Sequence, residues 1–150
     1  MLLIFTYMHL YIIYLCGINL RSCILQLSDF GFAKKVPDKT FTLCGTPEYL
    51  SPEVLVGKGY GKAADWWTMG IFIYELLAGL PPFVDEDPVQ LYRKILISNL
   101  SFPRFFESTA KSLIKRLLAP DSSKRLCCSR KASAIDDLKQ HMVSFHFHSC

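Results

Sequence analysis

Ala63-Ala64-Asp65-Trp66-Trp67-Thr68-Met69-Gly70-Ile71-Phe72-Ile73-Tyr74-Glu75-Leu76-Leu77-Ala78 is the stretch on which the fold turns. Its apolar side chains fall on every face of a helix, so the helix has no side to offer water and belongs at the centre of a domain. Gly79-Leu80-Pro81-Pro82 stops it, because glycine accepts the left-handed cap and proline cannot continue the helix. Further along, Pro88 opens a second helix, 88–97, with Leu91, Ile95 and Leu96 at helical spacing and charge on the other side. A third is expected over 108–118, with an apolar stripe of Leu113, Ile114, Leu117 and Leu118 and with Lys111, Lys115 and Arg116 facing water. Upstream, Gly57-Lys58-Gly59-Tyr60-Gly61 lacks GxGxxG spacing and no strand precedes it, so it reads as a turn ahead of the central helix. Strand signals are sparse beyond 24–27. The expected fold is mainly α.

The chain has 150 residues, 51% of them hydrophobic and 20% charged, enough for one domain with its own core. A net charge of +4, spread evenly, makes nucleic acid a poor candidate partner. Cys16, Cys23, Cys44, Cys127, Cys128 and Cys150 form no CxxC pair, which favours reduced thiols in a cytoplasmic setting over a disulfide framework. Residues 1–26 carry a single formal charge, Arg21, and the apolar run 1–20 reaches the length of a membrane span. It has neither a basic start nor a small-residue cleavage site, so membrane insertion is the lesser expectation. In the tail, only 134–141 looks helical. His146, His148 and Cys150 fall short of a metal site without a fourth ligand from elsewhere. Asn99-Leu100-Ser101 would be a glycosylation acceptor only in a secreted protein.

The chemistry lies in a series of motifs. Asp29-Phe30-Gly31 is followed, some twenty residues on, by Leu43-Cys44-Gly45-Thr46-Pro47-Glu48-Tyr49-Leu50-Ser51-Pro52-Glu53, whose Pro-Glu closes a kinase activation segment. Asp65-Trp66-Trp67, Pro81-Pro82-Phe83 and Lys124-Arg125 come next, in order. Over residues 24–126 the chain resembles the serine/threonine protein kinases of the AGC group, and among them the C-terminal lobe of the cAMP-dependent catalytic subunits. The subgroup rests on Phe30-Gly31-Phe32-Ala33-Lys34, Thr42 to Tyr49 and Asp65-Trp66-Trp67. The resemblance resumes weakly at 135–141. It implies three parts: an apolar segment 1–23 with no kinase counterpart, the lobe fragment 24–126, and a divergent tail 127–150.

The same resemblance implies roles. Asp29 would hold the magnesium that bridges the nucleotide phosphates, with Phe30 packed inward to fix it. Thr42 matches the activation-loop phosphorylation site and Lys34 a cationic partner of that phosphate. Thr46 matches the threonine that helps place the accepting hydroxyl, beside an apolar pocket of Leu43, Pro47 and Leu50. Glu48 and Glu75 match carboxylates that receive substrate arginines, which implies a basic Ser/Thr peptide or protein as substrate. A kinase regulatory subunit is an implied partner. Glu53 and Arg125 match a buried ion pair, and Asp65 a residue that hydrogen-bonds the catalytic loop. Outside the family frame, Asp65 reads as a helix N-cap, Glu75 as an ordinary buried acid and Glu48 as an exposed loop residue.

ATP and magnesium are the implied cofactors, yet a kinase also needs a Gly-rich loop, a strand lysine and a His-Arg-Asp-Leu-x-x-x-Asn loop. None stands in this sequence. By spacing, the base should fall near Tyr11 and the metal-binding asparagine near Cys16, and neither side chain can do that work. The expectation is a truncated kinase sequence without the N-terminal lobe and catalytically inactive as it stands, with 1–26 folded over the uncovered surface. The alternatives are a non-catalytic module that binds substrates or regulators, and a membrane-anchored remnant.

Overall fold

The computed structural model describes residues 2–4, 34–36, 38–42, 46–128, 136 and 138. In chain order these form β1 (Leu2–Ile4), β2 (Lys34–Val36), a 3-10 turn (Pro47–Tyr49), α1 (Pro52–Leu55), α2 (Ala63–Ala78), α3 (Pro88–Ile97) and α4 (Ser108–Leu117). The described residues are mainly helical, as expected of a partial kinase-like fold.

The central helix, α2, starts after Lys62 and ends where Gly79, at φ 80°, donates its N–H to the Glu75 carbonyl at 2.7 Å. A side chain there would cost left-handed strain, so glycine makes the sharp stop possible. Trp67 and Ile71 are fully enclosed. They anchor a core with Tyr74 from α2, Phe83, Leu91 and Ile95 around α3, and Phe106, Ala110, Ile114 and Leu118 around α4. Phe83, set by Pro81-Pro82, stacks on Trp67 with ring centroids 6.0 Å apart. Gly70 lets α4 come close: a Cβ there would stand 2.8 Å from Leu118 Cδ2 and 2.9 Å from Leu117 Cβ.

The reading of α2 as buried on every face needs correction at its last turn, where Leu76 and Leu77 are 55% and 42% exposed. The neighbours that enclose Trp67 and Ile71 do not extend over that turn. In α3, Asp87 caps the N-terminus by accepting from Val89 N at 3.0 Å, and Pro88 takes the first helical position. Leu91 and Ile95 are buried, but Leu96 is 43% exposed, against expectation. It lies about 100° round the helix from Ile95, and Tyr92 packs on the core in its place. The α4 stripe is buried as expected; Lys115 and Arg116 are exposed while Lys111 is only half-exposed.

A second cluster joins Val36, Leu50, Val54, Tyr60 and Ala64. It ties the segment after β2 to α1 and the start of α2. β1 pairs antiparallel with β2, Leu2 opposite Val36 and Ile4 opposite Lys34, so the first residues of the apolar segment add an edge to residues 34–36. Residues 57–61 form a turn with Gly57 and Gly59 at positive φ, in line with the sequence reading. Asp136 and Leu138 carry helical backbone, and Leu138 packs against a cluster formed by Leu113, Leu117, Leu126 and Cys127. Cys127 and Cys128 are thiols. Among the described residues no helix is long and apolar enough to cross a membrane. The expected strand at 24–27, the remaining cysteines, and His146 and His148 lie outside the described residues.

Candidate functional site

Glu53 and Arg125 stand 72 residues apart in sequence and meet side by side. Pro52-Glu53 begins α1, which directs the Glu53 carboxylate toward the first turn of α2. Arg125 Nη1 donates to Glu53 Oε1 at 2.6 Å and Nη2 to Oε2 at 2.9 Å, a two-pronged match of guanidinium to carboxylate. The remaining donors reach Ala63 O at 2.6 Å and Ala119 O at 3.1 Å, and the guanidinium lies 5.1 Å over the Trp67 ring. Arg125 is 1% exposed. Removed from water, such a charge is tolerable only with this full set of partners. The arrangement fastens α1 to α2 and to the loop after α4.

The loop just before α1 carries the residues expected to meet a peptide. Thr46 is half-buried, and its carbonyl accepts from Tyr49 N at 3.0 Å; Leu50 N donates to Pro47 O at 3.2 Å. Leu50 is buried in the second cluster and Pro47 is exposed, so the two do not line one enclosed pocket. Leu43 lies outside the described residues. Glu48 and Glu75 are both half-buried, which departs from the family-free readings of an exposed loop residue and a buried acid. Tyr49 joins them: its hydroxyl donates to Glu75 Oε2. The Tyr49 hydroxyl is pushed well above the usual phenol range, first by burial, then by its bond to Glu75 and by the negative charge of Glu75 and Glu48. Tyr49 therefore stays a neutral donor that orients the Glu75 carboxylate. Two carboxylates around one phenol make a local negative field suited to a guanidinium or ammonium group.

Thr42 is exposed, and its main chain is held: Tyr60 Oη donates to the Thr42 carbonyl at 2.6 Å. Two residues earlier, Thr40 exchanges both main-chain hydrogen bonds with Tyr60, each 2.9 Å, and its Oγ1 lies 3.5 Å from Thr42 Oγ1. Lys34 is the first residue of β2. Asp65 is the third residue of α2, and the N-cap position belongs to Lys62, so the bland N-cap reading fails on position. Asp29 and Phe30 lie outside the described residues, as do Tyr11 and Cys16. A magnesium-nucleotide site needs several hard oxygen ligands and a cation for the phosphates. A thiol at Cys16, a phenol at Tyr11 and the single carboxylate of Asp29 do not make that set.

Sequence reasoning overlooked Tyr49, Tyr60 and Trp67 as functional or positioning residues. Tyr49 lay in plain sight between Glu48 and Leu50, but its link to Glu75 depends on a contact 26 residues away. A cleft of about 390 Å³ opens beside the ion pair, lined among others by Lys39, Glu53, Lys62, Ser122 and Cys128. Of the expected site residues it holds only Glu53. The acidic site around Tyr49 is a surface feature elsewhere.

Comparison with known proteins agrees with this geometry. The protein kinase domain family matches residues 17–142. The chain is 51% identical over 117 residues to mouse "cAMP-dependent protein kinase catalytic subunit PRKX", covering 78% of this chain and 32% of that protein. It is 53% identical over 117 residues to the Dictyostelium discoideum "cAMP-dependent protein kinase catalytic subunit", covering 78% of this chain and 18% of that one. Against the Drosophila melanogaster "cAMP-dependent protein kinase catalytic subunit 3" the identity is 50% over 117 residues, with 78% and 20% covered. The chain thus spans about a third or less of the length of these relatives. It belongs to the protein kinase family, as a serine/threonine kinase sequence of the AGC group similar to the cAMP-dependent catalytic subunits.

Proposed function

We propose that this chain is the peptide-binding side of a serine/threonine protein kinase whose family transfers the γ-phosphate of ATP to Ser or Thr of basic peptides. The observation that carries this is the acidic site around Tyr49, where Glu75 is oriented by the phenol and Glu48 lies close enough to act on the same hydroxyl. In this reading Glu48 and Glu75 take cationic side chains of the substrate. Thr46, with Leu43 and the exposed Pro47, shapes the place of the accepting residue, and the buried Leu50 supports the loop from beneath. Thr42 is the activation-loop phosphorylation site and Lys34 its cationic partner. Asp29, backed by Phe30, is the magnesium ligand of the parent enzyme, and Asp65 anchors its catalytic loop. The lobe fragment runs over 24–126, between an apolar 1–23 and a divergent 127–150, and works in the cytoplasm.

As an isolated chain it binds a basic Ser-containing peptide and does not turn it over, because the Gly-rich loop, strand lysine and catalytic base are absent from its sequence. The test is fluorescence anisotropy of such a peptide against the full chain, together with transfer from labelled ATP. Binding that weakens about tenfold or more in Glu75→Gln, with no transfer, supports the reading; loss of a charged hydrogen bond is of that order. Transfer by the wild-type chain overturns the inactive part, and undiminished peptide binding by Glu48→Gln/Glu75→Gln overturns the peptide site. A second reading is a non-catalytic module for substrates or a kinase regulatory subunit, supported by an acidic site that rests on a closed core. The transcript distinguishes the two: in-frame upstream Gly-rich and His-Arg-Asp sequences favour an enzyme, and their absence favours the module.

A further inference from the structure

Thr40 and Thr42 are chemically alike and two residues apart, and their environments differ because of one residue in the turn at 57–61. Tyr60 pairs with the Thr40 main chain through both its N–H and its carbonyl, and Thr40 is 6% exposed. The Tyr60 hydroxyl then reaches past Thr40 to the Thr42 carbonyl, 2.6 Å away, while Thr42 remains exposed. The Tyr60 ring is buried with Val36, Leu50, Val54 and Ala64, so the donor is fixed by packing on α1 and α2. Between the threonines, Phe41 lies over Gly59. A Cβ on Gly59 would stand 2.7 Å from Phe41 Cε1, and Gly59 has φ +73°, where a side chain is strained. Glycine therefore admits the phenyl ring, the bridge withdraws Thr40, and the hydroxyl of Tyr60 sets how Thr42 leaves the bridge.

We propose that the turn at 57–61 is a clasp on residues 38–42, and that Tyr60 is a positioning residue that selects Thr42 over Thr40 as phosphate acceptor. This rests on the reading of Thr42 as a phosphorylation site and adds what decides between the two neighbours. In the transfer, the Thr42 Oγ1–phosphorus bond forms as the bond from the γ-phosphorus of ATP to its bridging oxygen breaks. ADP leaves, and the hydroxyl proton passes to the activating kinase and solvent. A phosphoacceptor must reach into another enzyme's site, which a bridged and buried threonine cannot do without breaking its pairing.

The experiment uses the full chain, with Tyr60→Phe, which keeps the packed ring and removes only the hydroxyl, and Gly59→Ala, which forces Phe41 aside. Two quantities are read by mass spectrometry. One is the rate of tryptic cleavage after Lys39. The other is the ratio of phosphate on Thr40 to that on Thr42 after treatment with the mouse relative and MgATP. Thermal unfolding is followed in parallel. The hydroxyl bond to the Thr42 carbonyl holds the end of the segment that the Thr40 bridge closes. Losing one hydrogen bond corresponds to roughly five- to tenfold in an equilibrium, so Tyr60→Phe should let the bridge fray, speed Lys39 cleavage and raise the Thr40 to Thr42 ratio by about that factor. Gly59→Ala should do more. A general loss of fold would lower the thermal midpoint and speed cleavage throughout the chain, without a preference for the clasped segment. Wild-type cleavage rates and wild-type ratios in both variants overturn the clasp, with the phosphorylation of Thr42 untouched. Faster cleavage in the variants with no phosphate on either threonine of the wild type overturns the acceptor reading, and the selective role with it.

Discussion

Arg125 offers the sharpest test of how the fold holds together. Arg125→Met keeps most of the side chain's length and removes all five of its donors from Glu53, Ala63 and Ala119. Glu53 has only 12% of its side chain exposed, so its carboxylate is left largely dry without a countercharge. Breaking one side of a buried pair costs about 3–5 kcal/mol. The two abandoned carbonyls add roughly 1 kcal/mol or more, depending on how far water can enter. A loss of about 4–6 kcal/mol is a large part of the roughly 5–15 kcal/mol that holds a domain of this size. At about 4 °C per kcal/mol it lowers the thermal midpoint by some 15–25 °C. Urea and thermal unfolding followed by circular dichroism at 222 nm read both quantities. Glu53→Gln combined with Arg125→Met should be less damaging than the two single losses added together, since no charge is then stranded. A loss below about 1 kcal/mol in Arg125→Met would refute the argument, because it would mean that Glu53 is hydrated without its partner.

Gly70→Ala should cost about 1–3 kcal/mol by pushing Leu117 and Leu118 of the α4 end away from α2, measured by the urea midpoint. Gly79→Ala meets no atom within 4 Å, so its cost, about 1 kcal/mol, is conformational alone. Asp87→Ala should remove about 1 kcal/mol by uncapping α3, and Asp87→Asn should restore most of it. Because the Tyr49 hydroxyl holds its proton more tightly in the folded chain than at its ordinary value of 10.0, the unfolded chain ionises first. The stabilisation is therefore intact below pH 10 and declines as the pH rises above it, and Tyr49→Phe should show a shallower alkaline decline in thermal midpoint. An equal decline in that variant would assign the effect to other groups, of which Tyr74, raised by burial, is one.

What the sequence made legible followed from signals that are local or strongly ordered. The all-round apolar content of α2, Pro88 at the start of α3 and the stripe of α4 each dictate a helix without reference to anything distant. The Glu53–Arg125 pair is implied only by the kinase resemblance, and in the structure the two side chains meet at 2.6 and 2.9 Å. The misses have a common cause. Leu96 has the right residue type and the wrong angle, and Leu76 and Leu77 belong to an apolar helix whose cover ends one turn early. Helical periodicity states which residues can be buried, whereas the reach of neighbouring elements decides which are. Tyr49 and Tyr60 escaped notice for the same reason, since a phenol's partner across 18 or 26 residues leaves no pattern in the chain. The residues expected to hold magnesium and nucleotide lie outside the described part of the fold, and their roles stand on resemblance.

The guanidinium that secures Glu53 comes close to the end of the well-packed region. During synthesis every residue of α1, α2, α3 and α4 leaves the ribosome before residue 125 does. A chain that ends at 124 has α1 to α4 and still carries a stranded anion at its heart, so the wiring of the interior is completed only when residue 125 is in place. An unfinished product is then much easier for proteases to open than a finished one, and the cell can tell the two apart by stability alone.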